Sequence, residues 1–178
     1  MTSFVINSHL DRQVPFNWRT DSSCPFCRII IDEAPSSRVF ENEKVVAFLD
    51  IMPLRPGHTL VVPKFHCPRV SELPSEFAAA VGEAVSKIAN ALTKALDHTA
   101  LNVVCNQEYA QAVPHVHYHI IPAPKLGVSK PEIDTRTGTV RSRLPPTERE
   151  MHRMEFESRD ELDEDEAKDL VERIRAHL

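Results

Sequence analysis

The sequence predicts an α+β fold: an antiparallel sheet carrying one short and one long helix, then an extended C-terminal segment that ends in a helix. Three observations predict it. Short β-rich runs at 38–63 and 100–121 are separated by turn signals. Residues 71–97 repeat apolar side chains at helical spacing. Beyond Pro122 the chain turns proline-rich and then acidic and amphipathic. With 178 residues, 42% of them hydrophobic, the chain fits one ordinary domain with extensions.

Residues 1–22 show no periodicity and read as an N-terminal arm. In "PFCRIIIDE" (25–33), Pro25 suits a first helical position and Phe26, Ile29 and Ile30 share one face, so a short helix is expected, stopped by Pro35. "RVFEN" (38–42), "KVVAFLDI" (44–51) and "HTLVVP" (58–63) read as strands. Pro56-Gly57 marks a turn, so the last two form an antiparallel pair. The long helix over 71–97 is capped by Ser71 or Ser75 and buries Phe77, Val81, Val85, Ile88, Leu92 and Leu96. "ALNVVC" (100–105) and residues 114–121 complete the sheet.

Prolines at 122, 124, 131, 145 and 146 predict an extended segment over 122–147. Leu162, Leu170, Val171, Ile174 and Leu178 make the stripe of a helix over 160–178. Its cap is Ser158 with Glu161 or Asp163 with Glu166. The stripe should dock on the domain or on a partner chain. The expected division is therefore an arm (1–23), a domain (24–125) and an extension (126–178).

The formal net charge of −5 argues against a nucleic-acid-binding role, and no run approaches the roughly 20 apolar residues of a membrane helix. No secretory signal pattern is present, so the expected setting is intracellular: cytoplasmic, with the nucleus also open to it. Four glycines leave no room for a glycine-rich phosphate loop. There the four cysteines suit thiols or metal ligands better than disulfides. "CPFC" (24–27) reads as a redox pair or as half of a zinc site.

The sharpest motif is "PHVHYHIIP" (114–122), with histidines at 115, 117 and 119. On a strand they share one face, residues two apart lying roughly 6.5–7 Å from each other. His115 and His117 could bind one metal, but the outer pair, ~13 Å apart, could not join them on bonds of about 2 Å. The three imidazoles thus have different tasks. A neutral imidazole whose far nitrogen is held by an acceptor can attack phosphorus, while a neighbour binds the phosphate or moves protons. Such a phosphoryl or nucleotidyl transfer site needs no magnesium.

"HVHYHII" resembles the His-φ-His-φ-His-φ-φ signature of the histidine triad (HIT) family. "CPFCRII" and "VVAFLDIMPLRPGHTLVVPKFH" stand in the order that family uses, over about residues 24–123. The resemblance is to the Hint branch. It implies a HIT-like fold and an enzyme that cleaves the α-phosphorus bond of AMP-X compounds, adenosine phosphoramidates or diadenosine polyphosphates. His117 would be the nucleophile, with His119 and His58 contacting the phosphate and supporting proton movement. Phe26, Ile29, Phe48 and Ile51 would wall a purine pocket. Asp50 would accept the ribose hydroxyls, and Asn106 and Gln111 would donate toward the phosphate. Cys24, Cys27, His66 and His115 match the residues some members use for structural zinc. A homodimer joined through the long helix and a sheet edge is also implied. Two departures stand out: "NQEYAQA" (106–112) has no glycine, and Ala112 replaces a hydroxyl residue common in Hint enzymes. They favour, as the competing reading, a zinc-stabilised nucleotide-binding or scaffold protein with little catalysis.

Overall fold

The computed structural model describes residues 18–123, 132–133, 140–141 and 159–178. The elements run α1 (Pro25–Ile30), β1 (Arg38–Glu41), β2 (Val45–Leu49), β3 (Thr59–Pro63), a 3₁₀ turn (Val70–Glu72), α2 (Ser75–Leu96), β4 (Leu101–Cys105) and β5 (Tyr118–Pro122). A two-residue ladder of β6 (Glu132–Ile133) and β7 (Val140–Arg141) and then α3 (Glu164–Arg175) follow. The expected arm lies largely outside the described residues, as does most of the extended segment over 122–147 and the alternative cap at Ser158.

The main sheet has the order β1-β2-β3-β5-β4, with antiparallel neighbours throughout. Its central strands are buried on both faces, and the strand period divides their side chains between two cores. Val45, Ala47, Leu49 and Val61 join α2 and α3. Val46, Phe48, Leu60 and Val62 meet Phe26, Cys27 and Ile30 of α1. The sheet therefore lies between the long helices on one side and α1 on the other.

Two helix boundaries differ from the sequence reading. The long helix begins at Ser75 because Pro74 occupies its N-cap, and residues 70–72 form the separate 3₁₀ turn. Its buried face includes Ala84, Ala91 and Ala95 besides the large apolar residues, while Val85 and Leu96 are only partly buried. The C-terminal helix begins at Glu164, since Asp163 is its N-cap and accepts from the Asp165 and Glu166 amides. Such a cap stabilises a helix by about 1 kcal/mol, and acidic residues in its first turn with Arg173 and Arg175 in its last complement the dipole.

The stripe of α3 docks on its own domain. Ala167, Leu170, Val171 and Ile174 are buried in the core that α2 and β2 share. Each large aliphatic there stabilises the packing by roughly 1.5–3 kcal/mol. Polar ties close the same seam: the Arg173 guanidinium donates to the Ala95 carbonyl, and Arg175 donates to the Arg38 carbonyl at 2.9 Å.

The β2–β3 connection delivers His58. It turns at Gly57, whose φ of +88° disfavours any side chain. An added Cβ there would lie 2.9 Å from Leu96 Cδ1 and 3.3 Å from both Leu92 Cδ2 and Pro122 Cγ. Gly57→Ala is expected to destabilise the fold by about 1–3 kcal/mol, measured as a lower urea midpoint at unchanged m-value. A midpoint equal to wild type would show that the turn relaxes freely.

Candidate active site and metal-binding cluster

The three motif histidines do not lie on one regular strand. β5 starts at Tyr118, so only His119 is a strand residue. Upstream, the His115 amide donates to the Val113 carbonyl, and Val116 donates to Cys67 rather than into the ladder. That detour turns His115 away from the ladder, while the His117 and His119 rings stay neighbours with centroids 4.8 Å apart.

His115 turns into a buried cluster with Cys24, Cys27 and His66. Cys24 immediately precedes α1, Cys27 lies on its first turn, and His66 follows β3. For zinc bonds of about 2.3 Å to sulfur and about 2.0–2.1 Å to nitrogen, tetrahedral edges would be about 3.4 Å (N–N) and about 3.6 Å (N–S). The His66 and His115 Nδ1 atoms are 3.3 Å apart. Cys24 Sγ lies 3.5 Å from His115 Nδ1, and Cys27 Sγ lies 3.3 Å and 3.7 Å from the two Nδ1 atoms. His115 Nε2 donates to the Pro63 carbonyl at 2.8 Å, which leaves the Nδ1 lone pair facing inward. The sulfurs differ: hydrogen bonding from Cys27 pulls the Cys24 thiol down to about 3, while that bond and burial push Cys27 up. These residues fit a closed structural zinc site, and such an ion would tie α1 to the loop after β3 and to the triad. Cys67 points elsewhere, into the patch of Leu73, Phe77 and Val116, and burial raises its thiol pKa. Cys105 is a half-buried thiol at the edge of that patch.

His117 is buried on the sheet face that meets α1, edge to face with Phe26 at 5.1 Å between ring centroids. Its Nδ1 donates to the His115 carbonyl at 2.6 Å. That bond fixes the tautomer and places the free lone pair on Nε2. Burial lowers its pKa, against the opposing effect of the carbonyl bond, so the ring is neutral and nucleophilic at neutral pH.

His58 and His119 form a pair, with His58 Nε2 2.9 Å from His119 Nδ1. The Leu54 amide donates to His58 Nδ1 at 3.1 Å. In the neutral pair His58 therefore donates from Nε2 to His119, and the remaining proton of His119 is on its Nε2. Both nitrogens of His58 are engaged and its side chain is buried, so it holds His119 in place. Both rings have pKa values lowered to about 4, chiefly by burial. The Arg159 charge and then His117 add to this at His58; His117 and His58 come next at His119.

For these two rings the folded pKa lies below the unfolded value of about 6.5. The unfolded chain binds more protons between about pH 6.5 and pH 4, so their contribution to stability is present above that window and lost as pH falls through it. Urea midpoints at pH 7 and pH 4.5 should fall with acid, and less steeply in His119→Gln. Equal slopes would show that the pair titrates normally.

The other expected ligand residues are distributed unevenly. Phe26 and Phe48 are buried edge to face at 5.6 Å, with Ile29 packed against their cluster. Ile51 is 65% exposed, outside that cluster, because the chain turns away after β2. Asp50 Oδ1 accepts from the Met52 amide in that turn, and Oδ2 lies 3.4 Å from His58 Nδ1. Asp50, His58 and His119 thus form a second cluster. Asn106 is half-buried at the end of β4. Gln111 uses its amide within the loop, donating to the Pro68 carbonyl and accepting from the Glu108 amide. The glycine-free loop forms its turns with Glu108 and Ala110 at φ of 62° and 57°, and Ala112 is exposed.

Fold and site together define an α+β domain with a five-stranded antiparallel sheet and two histidine clusters, and comparisons with known proteins give its family. A model of the HIT domain family matches residues 32–126. The chain is 44% identical to "Protein hit" of Bacillus subtilis over 102 residues, 56% of this chain and 70% of that protein. It is 40% identical to adenosine 5'-monophosphoramidase hnt1 of Schizosaccharomyces pombe over 115 residues, 61% of this chain and 84% of that one. The crystal structure of a zinc-bound histidine triad family protein from Mycobacterium smegmatis superposes with a TM-score of 0.62 at 27% identity, covering 87% of this chain and 92% of that one. The chain belongs to the HIT family.

Sequence reasoning missed two contributors to the site. The Leu54 amide has no side-chain signature. Arg159 stands in an acidic stretch 40 residues from the triad, with no local motif to mark it.

Proposed function

We propose that the protein hydrolyses AMP-X compounds, adenosine phosphoramidates or diadenosine polyphosphates, through a covalent nucleotidyl-His117 intermediate. The observation that carries this reading is the 2.6 Å bond from His117 Nδ1 to the His115 carbonyl, which leaves the Nε2 lone pair free on a ring whose centroid is 4.8 Å from that of His119. The fission yeast relative, an adenosine 5'-monophosphoramidase, supports the substrate class.

The sequence of steps follows from the tautomers. Substrate charge favours uptake of one proton by the His58–His119 pair. The proton goes to His58 Nδ1, which exchanges the Leu54 amide for the Asp50 carboxylate 3.4 Å away as its partner, and His119 carries one on Nε2. The His117 Nε2 lone pair forms the bond to phosphorus, the P–X bond breaks, and X leaves with the His119 Nε2 proton as the His58 Nε2 proton passes to His119 Nδ1. His119 Nε2 is then a base. It takes a proton from water as the water oxygen attacks phosphorus, the P–N bond breaks, and AMP departs. Phe26, Ile29, Phe48 and Ile51 would hold the purine, Asp50 the ribose hydroxyls, and Asn106 and Gln111 would line the approach to the phosphate. Cys24, Cys27, His66 and His115 would hold a structural zinc, leaving His115 out of the chemistry. A second copy would pair along the edge strand β4, whose Val103 is 45% exposed.

Ala112, which offers no hydroxyl to a leaving amine, favours polyphosphate over amidate substrates and gives weight to the reading of nucleotide binding with little catalysis. The test is a panel of an adenosine phosphoramidate and a diadenosine polyphosphate, run with wild type and His117→Ala alongside metal analysis. AMP release that depends on His117 supports hydrolysis; tight AMP binding without turnover supports the binding protein.

A further inference from the structure

We infer that Arg159, supplied by the C-terminal extension, is an anion-binding residue of the triad site that holds the phosphate of the bound nucleotide. It lies outside the residues matched by the family model, 32–126. The inference rests on the nucleotide reading above and adds a residue to it.

Three observations place the side chain. The Leu162 amide donates to the Ile51 carbonyl at 2.9 Å, and Leu162 packs on the main core. This fixes the residues before α3 along the turn that carries Asp50. Arg159 is three residues upstream, half-buried, with its Nε shielded from solvent. Its charge acts on both His58 and His119, in keeping with a segment held along the turn of Asp50.

The charge balance gives the position its purpose. His58, His117 and His119 are neutral at neutral pH, and Asp50 is the carboxylate of their cluster. Without Arg159, a phosphate would approach neutral imidazoles beside a fixed negative charge. An arginine offsets that charge and offers a planar fork suited to phosphate oxygens.

The experiment compares AMP and adenosine affinities by calorimetry for wild type, Arg159→Gln and Arg159→Lys. Adenosine keeps the base and ribose and lacks the phosphate. Arg159→Gln should weaken AMP binding by about 10- to 100-fold and leave adenosine unchanged, with Arg159→Lys between it and wild type. If wild type prefers AMP and Arg159→Gln keeps the same preference, the inference is overturned and the nucleotide site stands. If wild type does not distinguish AMP from adenosine, the phosphate site itself is wrong and the inference falls with it. Should Arg159→Gln fail to fold, Arg159→Lys makes the same comparison, with a several-fold loss for AMP alone expected and an unchanged preference contradicting.

Discussion

Replacing His117 by alanine is expected to lower kcat/KM by about 10⁴-fold or more on any AMP-X substrate, because it removes the atom that bonds to phosphorus. His119→Gln should cost less, about 10²- to 10⁴-fold, since it removes proton transfer and leaves the nucleophile. The order of the two effects matters as much as their size. If His119 were the nucleophile the ranking would invert. His117 is buried against Phe26, so a thermal melt of each variant separates lost chemistry from lost packing. Steady-state assays with the phosphoramidate and the polyphosphate check both substitutions, and a His117→Ala rate near wild type would remove His117 from the mechanism.

Loss of the metal cluster is the second large effect expected. Two imidazole nitrogens 3.3 Å apart and two thiols fill a buried space between α1, the loop after β3 and the triad. An ion present at 1,000 times its dissociation constant stabilises a fold by about 4 kcal/mol, which for a domain of this size is roughly 8–16 °C in Tm. Chelation of the zinc-loaded protein, or Cys27→Ser, should lower Tm by that much. Activity should fall as well, since His115 is both a cluster member and the acceptor that fixes the His117 tautomer. Elemental analysis showing no zinc, with an unchanged melt after chelation, would contradict a structural metal. A reversible Cys24–Cys27 disulfide in metal-free protein would point to the redox reading of the same pair.

The fold was legible where period and composition act locally. The β-rich composition of β2 and β3 and the apolar spacing of α2 follow from side-chain geometry, and Asp163 with Glu166, one of two caps the sequence offers, is the one at the start of α3. The site was legible in its residue types: the Cys–His cluster and the triad stand on the page as spacing and motif. The course of the triad was not, because the backbone leaves the ladder upstream of Tyr118 for a tertiary reason, the bond from Val116 to Cys67. Nor does sequence show that both His58 nitrogens have partners within the fold. The Gln111 partners, Pro68 and Glu108, are likewise set by the path of the loop. Ala84, Ala91 and Ala95 carry little hydrophobic signal, yet their small side chains are buried in the packing of α2. The segment of Arg159 is brought to the turn after β2 by the docking of a helix, which no local pattern encodes.

The central claim is a covalent nucleotidyl-His117 intermediate, and the stereochemical course at the α-phosphorus tests it most directly. A substrate made chiral at that phosphorus, hydrolysed in isotopically labelled water, reports the number of displacements. Attack by His117 followed by attack by water gives two inversions, and the account predicts net retention. Net inversion would mean that water attacks the substrate in a single step and would contradict it.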